Sequence, residues 1–276
     1  MTTPRPGCAC AVCVEAREQG IPYARTGPSV FVHGPDVLID TPEEIKEQLN
    51  RSQVTRIAAA LYSHWHPDHT AGRRVFETRN FDFRPWPREL KRVERTPVYL
   101  PQQVAEDFRV WMGMREHLAF LEERQGSVEV IELADGDVIE LGDTRITPFR
   151  LAEDYVYAFL FERGATRVLI AMDELHGWTA PDDLCGNLDL ALLPIGVLEH
   201  DPLTGERLWH ADHPVLRFEA TYADTLEIVR ALAARRTVLT HVEEPNGVGH
   251  DALVRAGERD GFEVAYDTML IDVPER

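Results

Sequence analysis

The sequence predicts a mixed α+β chain in which helices pack outside a central pair of sheets. Three observations carry that reading. Short apolar runs bounded by turn residues outnumber the stretches with helical spacing; several helical stretches follow directly on a strand; and 276 residues suffice for one large domain or two modest ones. No apolar run approaches the roughly 20 residues of a membrane-spanning helix. No internal repeat or low-complexity segment interrupts the pattern.

In chain order, residues 1–28 are rich in Pro, Gly and Cys and read as a loop-rich, metal-binding arm with one short helical stretch over Val14–Gln19. Residues 29–276 form the main domain. Ser29–His33 and Val37–Asp40 flank Gly34-Pro35-Asp36 as a hairpin. A helix is expected next, capped by Thr41, with Pro42 in its first turn, running to about Asn50. Ile57–Ser63 is a buried strand that ends at a histidine cluster, and helical character resumes from Asp68. Pro97–Leu100 is a strand, and apolar spacing from Gln102 to Gln125 predicts one helix. Strands follow over 128–133, 138–141, 145–150, 155–162, 167–172 and 189–194, punctuated by Ala134-Asp135-Gly136-Asp137, Gly142-Asp143 and Gly164-Ala165. An amphipathic helix over Thr221–Ala234, a strand Thr237–Thr240, a loop from His241 to Gly249, a helix Asp251–Asp260 and strands toward Val273 complete the chain.

Lys and Arg number 29 against 47 Asp and Glu, a net charge of −18. A field of that sign repels a phosphate backbone and excludes an electropositive nucleic-acid groove as the main binding mode. An anionic small molecule needs local positive charge, which bound metal supplies, and the chain has 11 His. Met1-Thr2-Thr3-Pro4-Arg5-Pro6 contains no apolar leader core, so a cytoplasmic location with no membrane partner is expected. Assembly as a homodimer is left open. Cys8, Cys10 and Cys13 crowd too closely for good disulfides but suit chelation, with Cys185 far away.

The strongest chemical signal is His64-Trp65-His66-Pro67-Asp68-His69. Three imidazoles and a carboxylate on a tight strand-to-helix loop face one point from different sides, and imidazole suits Zn, Fe and Mn. This resembles the His-x-His-x-Asp-His signature of the metallo-β-lactamase superfamily. The likeness is nearest the branch that holds the phosphoribosyl cyclic phosphodiesterase and the pyrroloquinoline quinone biosynthesis protein B. It extends over nearly the whole chain, through the Cys-x-Cys-x-x-Cys arm, Leu38-Ile39-Asp40, Leu239-Thr240-His241 and the terminal Gly261–Asp267. The resemblance implies a four-layer αβ/βα sandwich with a dinuclear metal site. His64 and His66 then match first-metal ligands, Asp68 and His69 second-metal ligands, Asp173 the bridging carboxylate and His241 the remaining second-metal histidine. Read alone, Asp173 is an ordinary turn residue and His241 a core histidine.

Three departures from the family stand out. A ligand histidine is missing near Ala152-Glu153-Asp154; either Glu153 or Asp154 replaces it, hardening that site toward Mn or Fe, or the site is weakened. Glu219 stands where the branch has its general-acid histidine, and it serves only if burial or a neighbouring anion raises its pKa; His200, His210 and His213 are the other candidates. The chain also begins close to its cysteine arm, so either the first edge strand is absent or the start lies upstream. For the arm, three thiolates at this spacing suit a structural Zn, with Glu244 as fourth ligand, or His250, or more remotely Cys185.

The expected function is metal-dependent hydrolysis of a small phosphodiester or cyclic phosphate. Two divalent ions (Zn, Mn or Fe) deprotonate a water oriented by Asp68, with Glu219 as proton donor. Lactone or ester hydrolysis, and a non-hydrolytic metal-binding role in cofactor biosynthesis, are the alternatives, because this fold hosts many chemistries.

Overall fold

The computed structural model describes residues 2–80 and 95–274. The chain forms two compact units, Pro28–Asp137 and Met1–Gly27 together with Val138–Arg276. No helix among the described residues is long and apolar enough to cross a membrane.

The chain opens in the second unit with α1 (Ala11–Gln19), which buries Cys13 and Ala16 and starts earlier than the expected Val14. Few apolar contacts hold this arm, and polar ties to the far end of the sequence replace them. Thr3 pairs with Arg25. The Arg25 guanidinium donates to the Ala265 carbonyl and meets His250 Nδ1 at 2.9 Å. Thr26 Oγ1 donates to Asp267 at 2.6 Å.

In the unit Pro28–Asp137, β1 (Val30–Val32) and β2 (Val37–Ile39) form the expected antiparallel hairpin. The helix that follows, α2, spans Ile45–Arg51, and Thr41 does not cap it. Thr41 Oγ1 instead lies 2.8 Å from the buried Tyr62 hydroxyl, and its amide donates to the His69 carbonyl at 2.7 Å. Tertiary partners thus outcompete a local capping signal. β3 (Ala59–Leu61) leads through the histidine loop into α3 (Pro67–Thr70) and α4 (Val75–Asn80). β4 (Thr96–Pro101) precedes α5 (Gln102–Val110) and α6 (Met114–Ala119), which continues as a π-helical turn over Phe120–Gln125 before β5 (Val128–Leu133). The single helix expected over 102–125 is therefore broken, at Met112 and Gly113, whose φ values are 54° and 60°. The sheet order is β1-β2-β3-β4-β5, with β2 to β5 mutually parallel. β2 and β3 are buried along their whole length, which explains their continuous apolar runs.

The other unit carries a seven-stranded sheet. β6 (Ile139–Leu141), β7 (Thr144–Arg150), β8 (Tyr157–Arg163) and β9 (Thr166–Ala171) run as an antiparallel meander. β10 (Leu190–Pro194), α7 (Tyr222–Leu232), β11 (Arg236–Thr240), α8 (His250–Asp260) and β12 (Glu263–Val264) extend it in parallel, giving the order β12-β11-β10-β9-β8-β7-β6. Of the strands expected toward Val273, only Glu263–Val264 pairs among the described residues. Leu169, Ala191, Leu193, Leu232, Leu239 and Leu253 belong to the core of this unit. Thr221 caps α7 in a reciprocal box with Asp224, as the Thr221 start predicts.

Both sheets place the carboxyl ends of parallel strands where irregular loops leave them, the position at which open α/β sheets present ligand-binding residues. β3 exits into Tyr62–His66, β9 into Met172–Glu174 and β11 into His241.

Candidate metal centre

In the unit Pro28–Asp137, the exit of β3 delivers His64 and His69 fully buried, with His66 and Asp68 partly exposed. Pro67 opens α3 and sets the turn between them. The rings of His64 and His66 lie 4.6 Å apart by centroid, and those of His64 and His69 lie 4.1 Å apart. Asp68 Oδ2 stands 3.9 Å from His69 Nε2.

Asp40, buried at the end of β2, organises the cluster. Its Oδ1 accepts the Ser63 amide at 2.8 Å, and its Oδ2 accepts the Ser63 hydroxyl at 2.6 Å and His69 Nδ1 at 2.8 Å. Ser63 Oγ also lies 3.0 Å from His64 Nδ1. The single hydroxyl proton of Ser63 goes to the carboxylate, so His64 Nδ1 donates to Ser63 Oγ. Both imidazoles thereby carry their proton on Nδ1, which presents Nε2 as the ligating nitrogen. Gly72 closes α3 onto the preceding loop: a Cβ there stands 2.0 Å from the Pro42 carbonyl oxygen, so only glycine fits.

In the other unit, β9 delivers Asp173 and β11 delivers His241, whose Nε2 lies 3.7 Å from Asp173 Oδ1. Glu174, buried beside Asp173, accepts the Ala220 amide at 2.9 Å and the His176 amide at 2.5 Å. Burial nevertheless pushes its pKa up to about 7, against the pull of those two amides. Glu219 keeps an exposed side chain, yet desolvation first, then Glu243, Glu174 and Asp173, push its pKa up to about 7. Burial and the charges of Asp173, Glu174, Glu153 and Glu219 raise Tyr155. Asp173, Glu174 and Glu219 thus concentrate negative charge in this unit.

The same unit brings the cysteine arm to Glu244. Glu244 Oε1 accepts from Cys8 Sγ and Cys10 Sγ, each at 3.1 Å, and from the buried Cys13 Sγ at 3.5 Å. The four ligand atoms all lie within 4.8 Å of one another. Arg5 Nε meets the other carboxylate oxygen at 3.1 Å. Acceptance of thiol protons, from Cys10 first, holds Glu244 below the usual carboxylate range, and its charge pushes Cys10 up to about 12. The Cys10 backbone amide lowers Cys8, whereas burial raises Cys13. Three thiols and a carboxylate converging in this way fit a divalent cation of zinc type, which displaces the thiol protons as it binds. His250 is elsewhere, engaged by Arg25 and edge-on to Tyr23 at 5.6 Å. Cys185 is elsewhere too, donating to the Pro181 carbonyl at 3.4 Å.

The Beta-lactamase superfamily domain matches residues 34–242, three-quarters of the chain. The chain belongs to that superfamily. No curated protein matches it. Among solved structures it is similar to a diphosphatase from the PhnP family, with 24% identity, coverage of 99% of this chain and 94% of the other, and a TM-score of 0.70. It is similar to zinc-bound PqqB from Methylobacterium extorquens at 18% identity, covering 98% and 96%, with a TM-score of 0.70. The short form of human tRNase Z follows at 18% identity, covering 90% and 92%, with a TM-score of 0.58. The metallo-β-lactamase fold expected from the histidine motif is shown. A superfamily domain with this donor set is suited to divalent metal.

The remaining expected residues fall differently. Asp154 is exposed and Glu153 half-buried in the β7–β8 turn, where the Glu153 carbonyl accepts the Val156 amide at 3.0 Å. His200, His210 and His213 are exposed, and the last two are tied to local backbone: His210 Nδ1 accepts the Asp212 amide and His213 Nδ1 the Val215 amide, both at 3.2 Å. Sequence reasoning did not assign Asp40, Ser63 or Glu174 to the site. The signal for Asp40 was its place at the end of an apolar strand, which an ordinary turn residue shares.

Proposed function

We propose that the chain is a metal-dependent hydrolase of a small phosphodiester or cyclic phosphate, with metal ligands on the histidine loop and at Asp173 and His241. The observation that carries this reading is the Asp40 network, which fixes two buried imidazoles with Nε2 presented for ligation. Such a carboxylate–histidine arrangement is the one that metal-ligating imidazoles ordinarily show. By the family resemblance, His64, His66, Asp68 and His69 in one unit and Asp173 and His241 in the other are the residues that would hold divalent metal. Divalent metal held by these residues would acidify a water molecule and stabilise negative charge developing on the phosphoryl oxygens.

The chain's own residues do the rest. Asp68, partly exposed beside His69, accepts a hydrogen bond from the attacking water and aims it. Glu153, half-buried where Asp154 is exposed, is the carboxylate we assign to the place of the family histidine. Glu219, with its pKa near neutrality, holds a proton at its carboxyl for the leaving oxygen. Cys8, Cys10, Cys13 and Glu244 hold a structural Zn that pins the arm to the loop after His241. The likeness to a PhnP-family diphosphatase supports phosphoester chemistry, and the net charge of −18 makes the metals the principal attraction for an anionic substrate.

The test is a panel of phosphodiesters, cyclic phosphates and lactones offered to protein reconstituted with Zn, Mn or Fe. Turnover of a phosphodiester or cyclic phosphate that is lost in His66→Ala supports the reading. Turnover of lactones alone makes the protein an ester hydrolase. No turnover with both ions bound makes it a metal-binding accessory protein.

A further inference from the structure

The cysteine arm is tied down by a contact that neither metal binding nor the proposed chemistry uses. Arg25 Nη2 meets His250 Nδ1 at 2.9 Å, at the first residue of α8. A guanidinium has only donors, so His250 Nδ1 must be the acceptor and the neutral ring carries its proton on Nε2. The same guanidinium donates to the Ala265 carbonyl, so one side chain fastens the arm both to α8 and to the stretch after β12. Tyr23 and Tyr266 close on the imidazole edge-on, with centroids 5.6 Å and 6.4 Å away. Arg25 and Tyr23 thus face the ring from the arm, and Tyr266 faces it from beyond β12. Asp251 lies beside it on α8, and Glu15 of α1 reaches Gly249, where a Cβ would stand 3.1 Å from Glu15 Oε2. Asp251 accepts the Tyr23 hydroxyl at 3.1 Å, and Asp267, which faces Arg25, accepts the Thr26 amide at 3.2 Å and hydroxyl at 2.6 Å.

We propose that Arg25 and His250 form a pH-sensitive latch, which holds the arm to the end of the chain at neutral pH and releases residues 21–27 on acidification. Protonation puts a hydrogen on His250 Nδ1 and aims it at a guanidinium N–H. The hydrogen bond is lost, and two cations then stand side by side in a half-buried place where water screens them poorly. Burial pushes Arg25 down to about 10, so it stays charged throughout and cannot relieve the conflict by giving up its own proton. Burial first, then Arg25, hold His250 below its usual 6.5, and Asp251 opposes them only in part. The docked arm therefore favours the neutral ring: docking is at full strength above about 6.5 and weakens as pH falls from there toward the depressed value. The bonds from Thr26 to Asp267 come next in the chain and open with the latch.

Amide hydrogen exchange of the full-length protein, corrected for the intrinsic rates at about pH 7.5 and about pH 5.5, reads the latch directly. Protection of residues 21–27 should fall severalfold at the lower pH, with a ceiling of about tenfold set by one proton taken up below the ordinary histidine value, and should return when the pH is raised. His250→Asn keeps an acceptor oxygen near the place of Nδ1 and cannot titrate, so its protection should be the same at both pH values. Cys10→Ser separates the latch from protonation of the thiols: the acid response of residues 21–27 should persist in it. Equal protection of the parent at both pH values, a fall that survives His250→Asn, or a fall that disappears in Cys10→Ser would each overturn the proposal. Nitrogen NMR of the parent adds a reading that needs no variant. It should find the Nε2–H tautomer of His250 at neutral pH and a titration below 6.5; an Nδ1–H tautomer or a titration above 6.5 would overturn the latch as well.

Discussion

Asp40→Asn tests whether the buried carboxylate sets the metal affinity of the histidine loop. The substitution is nearly isosteric, and Asn tolerates the φ of 60° at this position, so the backbone has no reason to move. What changes is hydrogen-bond polarity. Asn Oδ1 can keep the Ser63 amide, but the new NH2 then faces the Ser63 hydroxyl and His69 Nδ1, both of which donate to Asp40 Oδ2 in the parent. The hydroxyl can rotate and accept; the imidazole N–H cannot. His69 must leave a buried donor unpaired, at about 1–3 kcal/mol, or move its proton to Nε2, the nitrogen needed for the metal. Either route predicts a loss of about 10–100-fold in metal affinity, the usual cost of removing such a partner, equivalent to about 1.4–2.8 kcal/mol. Competition against a chromophoric chelator, with metal counted by elemental analysis, measures it. Ser63→Ala, which removes the hydroxyl links to Asp40 and His64 but leaves His69 Nδ1 on Asp40, should weaken binding less. A dissociation constant for Asp40→Asn within twofold of the parent would refute the tautomer argument.

Cys10→Ser should release one tightly held zinc equivalent and lower the melting temperature by several degrees while leaving the other bound metal in place, since few apolar contacts hold the arm; elemental analysis beside thermal unfolding decides it. Glu219, pushed up to about 7, is charged in the unfolded chain at neutral pH and about half protonated in the fold, so as a proton donor it should make the rate fall as pH rises through about 7. Glu219→Gln should lower the rate and erase that limb, and a pH–rate profile identical to the parent counts against the assignment. Asp154→Ala should be silent in metal content and rate, whereas Glu153→Ala should loosen one ion at least tenfold if Glu153 replaces the missing histidine; two silent variants would dismiss the carboxylate-ligand idea.

The parts legible in sequence are those whose signal is local. The six residues from His64 to His69 state their chemistry by type and spacing, and the buried strands β2, β3 and β10 announce themselves as apolar runs. What stayed hidden depends on neighbours distant in the chain. Thr41 has every local mark of a helix cap, but Tyr62 and His69 claim it. The tie between Asp40 and Ser63 exists because β2 and β3 run parallel side by side, which places the Asp40 amide on the Leu61 carbonyl at 2.9 Å. Sequence left Glu244, His250 and, more remotely, Cys185 open as fourth ligand; the fold engages His250 with Arg25 and leaves Cys185 on its own loop. Glu153 and Asp154 are adjacent and chemically alike, so only the turn that exposes one and half-buries the other separates them.

A further regularity emerges only from backbone angles. Three non-glycine residues that leave buried strands take positive φ: Asp40 after β2 at 60°, Glu174 one residue beyond Asp173 after β9 at 36°, and His241 after β11 at 54°. A strand that simply ended would exit through glycine or asparagine at no such cost, and each of these conformations is disfavoured by about 1–3 kcal/mol. The left-handed step reverses the chain within one residue, so that the donor-bearing side chain lies across the strand ends instead of continuing the pleat. Glycine would relieve the strain but carries no donor. Aspartate, glutamate and histidine at these exits therefore answer two demands at once, a sharp turn and a ligating or ligand-holding group. The strands that precede them hold these turns in place: β2 is buried along its whole length, as are the last three residues of β9 and the middle three of β11.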